Sequence, residues 1–351
     1  MPRISPSLLS RAYRISPHAA TLLPTCRELP SALNELRWIR EHVAQQLKPK
    51  DPERQVASLC RRRGRGEPLQ YVLGSQPFGN LDILCRPGVL IPRPEPEAYT
   101  THLAHLINTH SLFRPLPPSL TIVDLCTGTG CIALLLHSLL ARSIPHLHIH
   151  GVDISPQAVQ LSQDNMHFNI AAKRLPACPD PAYQLIAFSE GDIFSSREDE
   201  FWMSRDGNGW DVLVCNPPYI SSWGFTHQTE RSVRKYEPKL AQVPMVTYPG
   251  AHEPEDVFYA RLLDIGVRKR AKVMLFEVGD LAQASRVVGM ALRHEGLAST
   301  GKVVAEIWRD WPDAAPQENE ATLRTVSVGE ENREVMIRGS GHGRSVFIQC
   351  S

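Results

Sequence analysis

From residue 121 to residue 349 the sequence alternates between short apolar runs and longer amphipathic stretches. The apolar runs have the length of strands, and they are Thr121–Leu125, Leu147–Val152, Tyr183–Phe188, Asp211–Cys215, Lys272–Val278, Lys302–Trp308 and Ser345–Gln349. Helical segments separate most of them, for example Ile132–Arg142, Pro156–Phe168, Glu255–Lys269 and Leu281–His294. This alternation predicts a mostly parallel sheet with helices on both faces, which binds ligands at the carboxyl ends of its strands.

The ends of the first three predicted strands carry glycines and carboxylates. Asp124 closes the first strand, and the turn that follows it consists of Cys126, Thr127, Gly128, Thr129 and Gly130. Its glycines would let the backbone turn tightly and approach a ligand. The second strand ends at Asp153, where a carboxylate can bind both hydroxyls of a ribose. The third leads to Asp192 and Ile193, which could flank an adenine.

Helix capping is the alternative role for Asp153 and Asp192, and Ser155 is a candidate cap as well. Helix capping alone does not easily explain why polar residues follow all three of these successive strands. No Gly-Lys-Ser or Gly-Lys-Thr follows the glycines, so the turn does not resemble a phosphate-binding loop. A ligand with an adenine, a ribose and an amino-acid tail fits better, and S-adenosylmethionine is such a ligand.

The fourth predicted strand runs directly into Asn216, Pro217, Pro218 and Tyr219, which we call the tetrad. The Asn216 side chain offers a carbonyl oxygen, and Pro217 offers a backbone carbonyl without a competing N–H. Two such acceptors could bind both hydrogens of a planar amino group while the Tyr219 ring covers its face. A proline-rich turn that merely ends a strand explains the same residues, and the tetrad alone favours neither interpretation.

The chain before residue 98 divides into three predicted segments. Residues 1–29 contain four arginines and no acid before Glu28, which is typical of a mitochondrial transit segment, although an ordinary leader is the alternative. Apolar spacings of three and four predict a small helical domain over 30–66, and a hairpin connector over 67–97 follows. Residues 98–351 form the predicted α/β domain, in which the acidic stretch at about 312–334 is expected to be an insertion loop.

Metal sites, disulfides and membrane spans are not expected. The hydrophobic content of 42% and the charged content of 21% are typical of a soluble globular protein. The eight cysteines include no Cys-x-x-Cys pair, which favours a reducing compartment without a zinc site. His146, His148 and His150 share one strand face but lack an accompanying cysteine or carboxylate. No apolar run reaches the roughly 20 residues of a membrane span.

Seven short motifs are spread over most of the chain, at residues 68–74, 89–95, 124–130, 152–155, 191–194, 216–219 and 236–238. Together they resemble the HemK-type protein-(glutamine-N5) methyltransferases, which are class I S-adenosylmethionine-dependent enzymes with a Rossmann-like seven-stranded sheet and a small N-terminal helical domain. Methyltransferases of adenine and cytosine amino groups share the tetrad. The connector Ile91-Pro92-Arg93-Pro94-Glu95 is much more specific to the HemK type.

The resemblance implies a role for each matching residue. The turn Cys126–Gly130, with Asp124 before it, would wrap the methionine part of the cofactor, while Asp153 would bind the ribose. Asp192 and Ile193 would flank the adenine. The tetrad would be the catalytic site that binds the substrate amide beside the methyl group, with Asn216 near the cofactor as well. Two positions depart from the family pattern, since Cys126 replaces a glycine and Pro96 replaces a threonine.

The resemblance also implies a substrate and a location. The family methylates the glutamine of a Gly-Gly-Gln loop in peptide-chain release factors, with the helical domain helping to grip that protein. We therefore expect a release factor as partner, no direct nucleic-acid binding, a monomer, and the mitochondrial matrix, with the cytoplasm as the alternative. Two other functions remain open: N6-adenine or N4-cytosine methylation of nucleic acid, and a non-catalytic cofactor-binding or interaction protein whose pocket Cys126 has impaired.

Overall fold

The first part of the chain is helical. Its helices are α1 (Pro6–Ile15), α2 (Pro17–Cys26), α3 (Leu29–Gln45), α4 (Pro52–Gly64) and α5 (Leu69–Leu73). The computed structural model describes residues 4–45, 51–176, 183–195, 209–251, 253–299 and 301–350. A helical unit comprises the residues up to Ser75 with Cys85–Pro87 and Thr229–Glu237, and a larger α/β unit comprises Gln76–Leu84, Gly88–Gln228 and Pro238–Ser351.

Residues 6–26, which the sequence assigned to a leader, fold as α1 and α2 of the helical unit. Their buried side chains lie in the same apolar cluster as those of α3 and α4, and they are Ala12, Ala19, Leu22 and Leu23. Pro6 and Pro17 occupy the first positions of α1 and α2, where a proline has no amide hydrogen bond to lose. The helical unit is therefore larger than the predicted 30–66. Residues 1–3 and 46–50 of the predicted segments lie outside the described part.

The connector contains the expected hairpin, formed by β1 (Ser75–Phe78) and β2 (Leu81–Leu84), and it leads into α6 (Pro94–Asn108). The next two helices along the chain are α7 (Cys131–Leu140) and α8 (Pro156–Ala171), and α8 holds the hairpin in place. Buried asparagines of α8 bind the backbone of β2, since the Asn169 Oδ1 accepts from Asp82 N at 3.0 Å and the Asn165 Oδ1 accepts from Leu84 N. These bonds satisfy polar groups of the strand that would otherwise be costly to bury.

A nine-stranded mixed sheet forms the centre of the larger unit. After β1 and β2, its strands are β3 (Ser119–Leu125), β4 (His146–Asp153), β5 (Gln184–Glu190), β6 (Val212–Cys215), β7 (Val273–Glu277), β8 (Val303–Trp311), β9 (Leu323–Val328), β10 (Glu331–Arg338) and β11 (Ser340–Cys350). Their order is β5-β4-β3-β6-β7-β11-β8-β10-β9. Strands β3 to β7 pair in parallel, and β11 is antiparallel to both β7 and β8. All seven predicted strands are present, which confirms the Rossmann-like α/β fold.

The remaining helices are α9 (Ser222–His227), α10 (Arg231–Tyr236), α11 (Val257–Arg268), α12 (Leu281–Arg293) and α13 (Glu295–Ala298). Apolar cores lie on both faces of the sheet. In β3, Leu120 and Ile122 belong to one buried cluster, whereas Val123 and Leu125 belong to the other. Alternate residues of a strand point to opposite faces, so two covered faces explain why the strands read as continuous apolar runs.

The stretch 312–334 differs from the expected insertion loop, because its second half is sheet. Strands β9 and β10 form an antiparallel pair at the edge, and β10 also pairs with β8 in parallel. Val326 and Val335 are buried while most of their neighbours are exposed. This half-exposed edge explains the polar, acidic sequence. None of the described helices combines the length and apolarity that a membrane crossing requires.

Candidate active site

The pairing of the parallel strands brings four chain positions to one edge of the sheet. Leu125 of β3 is level with Val152 of β4 and with Cys215 of β6, and Cys215 is level with Phe276 of β7. The residues immediately after these four positions are Cys126, Asp153, Asn216 and Glu277. Three of the four were predicted site residues, so the structure gathers the sequence-predicted acid, turn and tetrad at one edge.

The turn after β3 adopts the backbone that its glycines suggested. Cys126, Gly128 and Gly130 all have positive φ, at 59°, 56° and 78°. Thr127 N donates to Val152 O at 3.0 Å, which ties the turn to the neighbouring strand. A Cβ at Gly130 would lie 2.8 Å from the Ser162 Cβ, so only glycine fits there.

Asp124 lies beneath the turn rather than in the cleft. Its carboxylate is completely buried and accepts a 2.6 Å hydrogen bond from the Thr127 hydroxyl. Burial raises the pKa of Asp124 to about 7, against the opposing effect of that hydrogen bond. The structure therefore gives Asp124 a role in shaping the turn, and it is absent from the described residues that line the cleft.

Asp153 lines the cleft and also organises the backbone around it. Its Oδ2 accepts from Gly128 N and its Oδ1 accepts from Ser155 N, both at 2.9 Å. Burial raises the pKa of Asp153 and these two backbone bonds lower it. Ser155 caps α8, because its hydroxyl accepts from Ala158 N at 3.3 Å. Ser155 is thus the residue that caps the helix, and the Asp153 carboxylate lies in the cleft beside it.

Asp192 and Ile193 line the same cleft beyond the end of β5. The Asp192 Oδ1 accepts a 2.9 Å hydrogen bond from Phe194 N, which fixes the local turn. Ile193 is buried, and Phe258 of α11 adds a second apolar side chain to the cleft wall. A planar apolar ring could lie against such a wall, with the carboxylate at its side.

Two further groups of residues line the cleft, and neither was predicted individually from the sequence. The segment Val89–Arg93, inside the motif-bearing connector, lines one side. Leu240, Met245 and Val246 line another and are substantially exposed. The first group was signalled by the connector motif, whereas nothing in the sequence pattern marked the second. All of the described lining residues belong to the larger unit.

The tetrad presents one polar side chain to the cleft. Asn216 and Pro218 line it, and Asn216 is half-buried with no hydrogen-bond partner for its side chain among the described residues. Pro217 is buried and Tyr219 is half-buried, and neither is among the described lining residues. Of the four predicted catalytic residues, Asn216 is therefore the one whose side-chain amide lies at the cleft wall without a hydrogen-bond partner among the described residues.

Tyr219 is anchored from behind by an acid that the sequence analysis missed. Its hydroxyl donates to the Glu277 Oε1 at 2.9 Å, and Glu277 is 3% exposed. Burial raises the pKa of Glu277 to about 7. The signal that could have revealed it is a lone acid closing the fully apolar run of β7, at the same edge as Asp153.

The cleft walls fit S-adenosylmethionine. Asp153 supplies a carboxylate for ribose hydroxyls, and Ile193 supplies apolar surface for an adenine. At Gly128 a side chain would point into open space, with the nearest heavy atom, the Cys126 carbonyl oxygen, 4.0 Å away. The turn thus leaves room for a ligand against bare backbone. Among the described residues no group of three histidine, cysteine or acidic side chains could hold a metal ion.

Comparison with known proteins identifies the family. Residues 147–248 match the model of the Eco57I restriction-modification methylase family. The mitochondrial MRF1 N(5)-glutamine methyltransferase MTQ1 of Saccharomyces cerevisiae is 35% identical over 82% of this chain and 79% of its own length. The chain belongs to the release factor glutamine methyltransferase family. It is an S-adenosylmethionine-dependent methyltransferase.

Other glutamine methyltransferases resemble the chain to a similar degree. The probable MRF1 mitochondrial N(5)-glutamine methyltransferase of Schizosaccharomyces pombe is 34% identical over 82% of this chain and 88% of its own length. The release factor glutamine methyltransferase of Koribacter versatilis is 34% identical over 54% of this chain and 57% of its own length. Among solved structures, the N-terminal domain of human METTL16 is only weakly similar, at 15% identity and a TM-score of 0.45, covering 90% of this chain and 93% of that one.

Proposed function

We propose that this methyltransferase transfers a methyl group from S-adenosylmethionine to the side-chain amide nitrogen of the glutamine in the Gly-Gly-Gln motif of a peptide-chain release factor. Both yeast relatives are named as mitochondrial MRF1 N(5)-glutamine methyltransferases, the second as a probable one, and these names support a mitochondrial release factor as the substrate. The observation that carries the proposal is the unengaged Asn216 amide, level with Cys126 and Asp153 at the cleft edge.

The cofactor would occupy the cleft in a defined direction. Asp153 would bind the ribose hydroxyls with the lone pairs that its two backbone bonds leave free. Ile193 and Asp192 would flank the adenine, and the turn Cys126–Gly130 would hold the amino-acid tail. The bound cofactor supplies an activated methyl group on a sulfonium, so the protein's task is to orient the acceptor nitrogen.

The tetrad would orient that nitrogen through its two N–H groups. The Asn216 Oδ1 would accept one amide hydrogen, and the Pro217 carbonyl would accept the other. Both bonds draw the nitrogen lone pair out of conjugation and aim it at the methyl carbon for in-line displacement. When the N–C bond forms and the C–S bond breaks, the nitrogen carries an extra proton. That proton is strongly acidic and leaves to water, so no protein base is required.

We also propose that the protein is a monomer in the mitochondrial matrix, that its helical unit helps to grip the release factor, and that it does not bind nucleic acid directly. Fractionation of mitochondria and the mass of the purified protein in solution test location and oligomeric state. A cytosolic location would refute the proposed compartment, and a stable dimer would refute the proposed monomer, but neither result bears on the methyl-transfer reaction.

The chemistry is tested by methyl transfer from labelled S-adenosylmethionine. The acceptors are the mitochondrial release factor, the same factor with the motif glutamine replaced by alanine, and DNA and RNA oligonucleotides. We expect label only on the intact factor. Label on an oligonucleotide would favour the nucleic-acid alternative, and failure to bind the cofactor in calorimetry would favour the non-catalytic one.

Asn216→Ala tests the role of the tetrad in the same assay. Losing one hydrogen bond that operates in the transition state costs about 3–4 kcal/mol, which corresponds to a kcat about 10²–10³-fold lower. Cofactor affinity should stay unchanged. Asn332→Ala is the matched control, because Asn332 is an exposed residue of the edge strand β10 and loses the same atoms. Near-normal turnover of Asn216→Ala would refute the assignment.

A further inference from the structure

A buried carboxylate joins two tyrosines behind the cleft. The Glu277 Oε1 accepts from the Tyr219 hydroxyl and the Oε2 accepts from the Tyr99 hydroxyl, each at 2.9 Å. The backbone carbonyl of Glu277 accepts from the Tyr259 hydroxyl at 2.7 Å. Each carboxylate oxygen thus has its own donor, and both side-chain donors are neutral hydroxyls.

This arrangement links two chain segments that each follow part of the cleft wall. Tyr219 ends the tetrad, and Tyr99 belongs to α6, which begins at Pro94 directly after the cleft-lining segment Val89–Arg93. Glu277 therefore fixes the tetrad against the helix that continues the connector. A well-packed apolar group could fill the same space without the cost of burying an acid, so the stability of the fold does not by itself explain why this position is Glu277.

Tyr219 has two further contacts besides the bond of its hydroxyl to Glu277. A Cβ at Gly279 would lie 3.2 Å from the ring Cδ2, so the ring already packs tightly against the backbone there. The Gln283 Nε2 donates to the Tyr219 carbonyl oxygen at 3.4 Å, which holds the main chain. Among the described residues, the hydrogen bond to Glu277 is the directional restraint on the end of the side chain.

We propose that Glu277 is a positioning residue for methyl transfer, which as a carboxylate holds the Tyr219 hydroxyl and so fixes the tetrad ring beside the substrate amide. This inference rests on the proposed function, because it assumes that the tetrad binds the glutamine. Glu277 does not touch the substrate and acts through Tyr219 alone. Its contribution should therefore appear in kcat and vanish when the Tyr219 hydroxyl is removed.

The charge state of Glu277 should control this role. Burial raises its pKa to about 7, while the two tyrosine bonds and Arg344 lower it. A protonated carboxyl can no longer accept from both tyrosines, so activity should fall as the pH drops through about 7. The titratable and charged groups that face Glu277 from the elements around it are Tyr99 and Glu95 of α6, Tyr219, Tyr259 of α11, Arg344 of β11 and Cys131 of α7.

A double-mutant cycle between Glu277→Gln and Tyr219→Phe tests the proposal on the full-length enzyme and the release factor. We expect each single variant to lower kcat about tenfold, and the double variant to lose no more than either single one, because coupled groups give strongly non-additive effects. The Kd for S-adenosylmethionine, measured by calorimetry, should be unchanged in all three. Losses that multiply, or wild-type kcat in Glu277→Gln, would overturn the proposal.

The matched control is Glu306→Gln, which changes a half-buried carboxylate elsewhere in the same sheet. Glu306 accepts from Arg338 and from Trp308 Nε1 and is not among the described cleft residues, so kcat should hold. If Glu277→Gln fails to fold, the pH profile of Tyr219→Phe decides, since its fall below pH 7 should be lost. A wild-type enzyme that leaves the release factor unmethylated would refute the proposed function itself, whereas an active enzyme with independent losses refutes only the role of Glu277.

Discussion

Replacing Cys126 with glycine should relieve backbone strain in the turn after β3. Cys126 has φ at 59°, a conformation that costs a residue with a Cβ about 1–2 kcal/mol. Glycine gives back about 0.5–1 kcal/mol of this through greater chain entropy on unfolding. The Cys126 side chain, with its Cβ and Sγ, also packs partly against the apolar core, and losing this partly buried group costs up to about 0.8 kcal/mol. The expected free energy of unfolding of Cys126→Gly therefore lies between about 0.8 kcal/mol lower and about 1.5 kcal/mol higher than that of wild type, so on balance a small gain is expected.

Urea unfolding of Cys126→Gly beside Lys173→Gly measures this. Lys173 has nearly the same φ, 57°, but follows α8 at an exposed position, so its substitution reports the backbone effect alone. We expect Lys173→Gly to be more stable than wild type by up to about 1.5 kcal/mol, and Cys126→Gly to gain less because it also loses packing. Calorimetry should show S-adenosylmethionine affinity retained. If Cys126→Gly loses more than about 1 kcal/mol while Lys173→Gly gains, the strain argument is wrong.

Two further substitutions test the fold. Leu22→Ala should lower the free energy of unfolding by about 2–5 kcal/mol, because Leu22 is fully buried in the helical unit. Leu9→Ala, at a 43% exposed position of α1, should change it little. Equal effects of the two substitutions in urea unfolding would contradict the packing of α1 and α2. Asp124 has its folded pKa raised to about 7, so the stability it contributes is fully present below its unfolded pKa of about 4 and is lost as the pH rises through about 7. Asp124→Asn should therefore gain on wild type between pH 5 and pH 8, and a difference independent of pH would refute this.

The architecture of the α/β unit could be predicted because its strands are covered on both faces. Continuous apolar runs such as residues 273–276 of β7 identify buried parallel strands whatever their neighbours are. The edge hairpin of β9 and β10 could not be recognised in this way. Its few buried residues, Val326 of β9 with Val335 and Ile337 of β10, leave a mostly polar sequence that looks like a loop. The hydrophobic pattern of a sequence therefore reports which strands are buried, and strands with few buried residues are not recognised from it.

The position of the amino-terminal helices was missed for a different reason. Pro6 and Pro17 break a helix only in its interior, and here both stand at first positions. Whether a proline starts or ends a helix depends on the residues that later pack around it. In the cleft, turn and strand-end residues were predictable because chain position fixes them at the sheet edge. Glu277 was not, because its importance arises from contacts with Tyr99 and Tyr219, which lie far away in sequence.

The most direct test of the account is mass spectrometry of the Gly-Gly-Gln peptide of the mitochondrial release factor, taken from cells with and without this gene. We expect a methylated glutamine in the presence of the gene and an unmodified one in its absence. Re-expression of the wild-type protein should restore the methyl group, and re-expression of Asn216→Ala should not. A peptide that stays methylated without the gene, or that Asn216→Ala restores fully, would contradict the central claim.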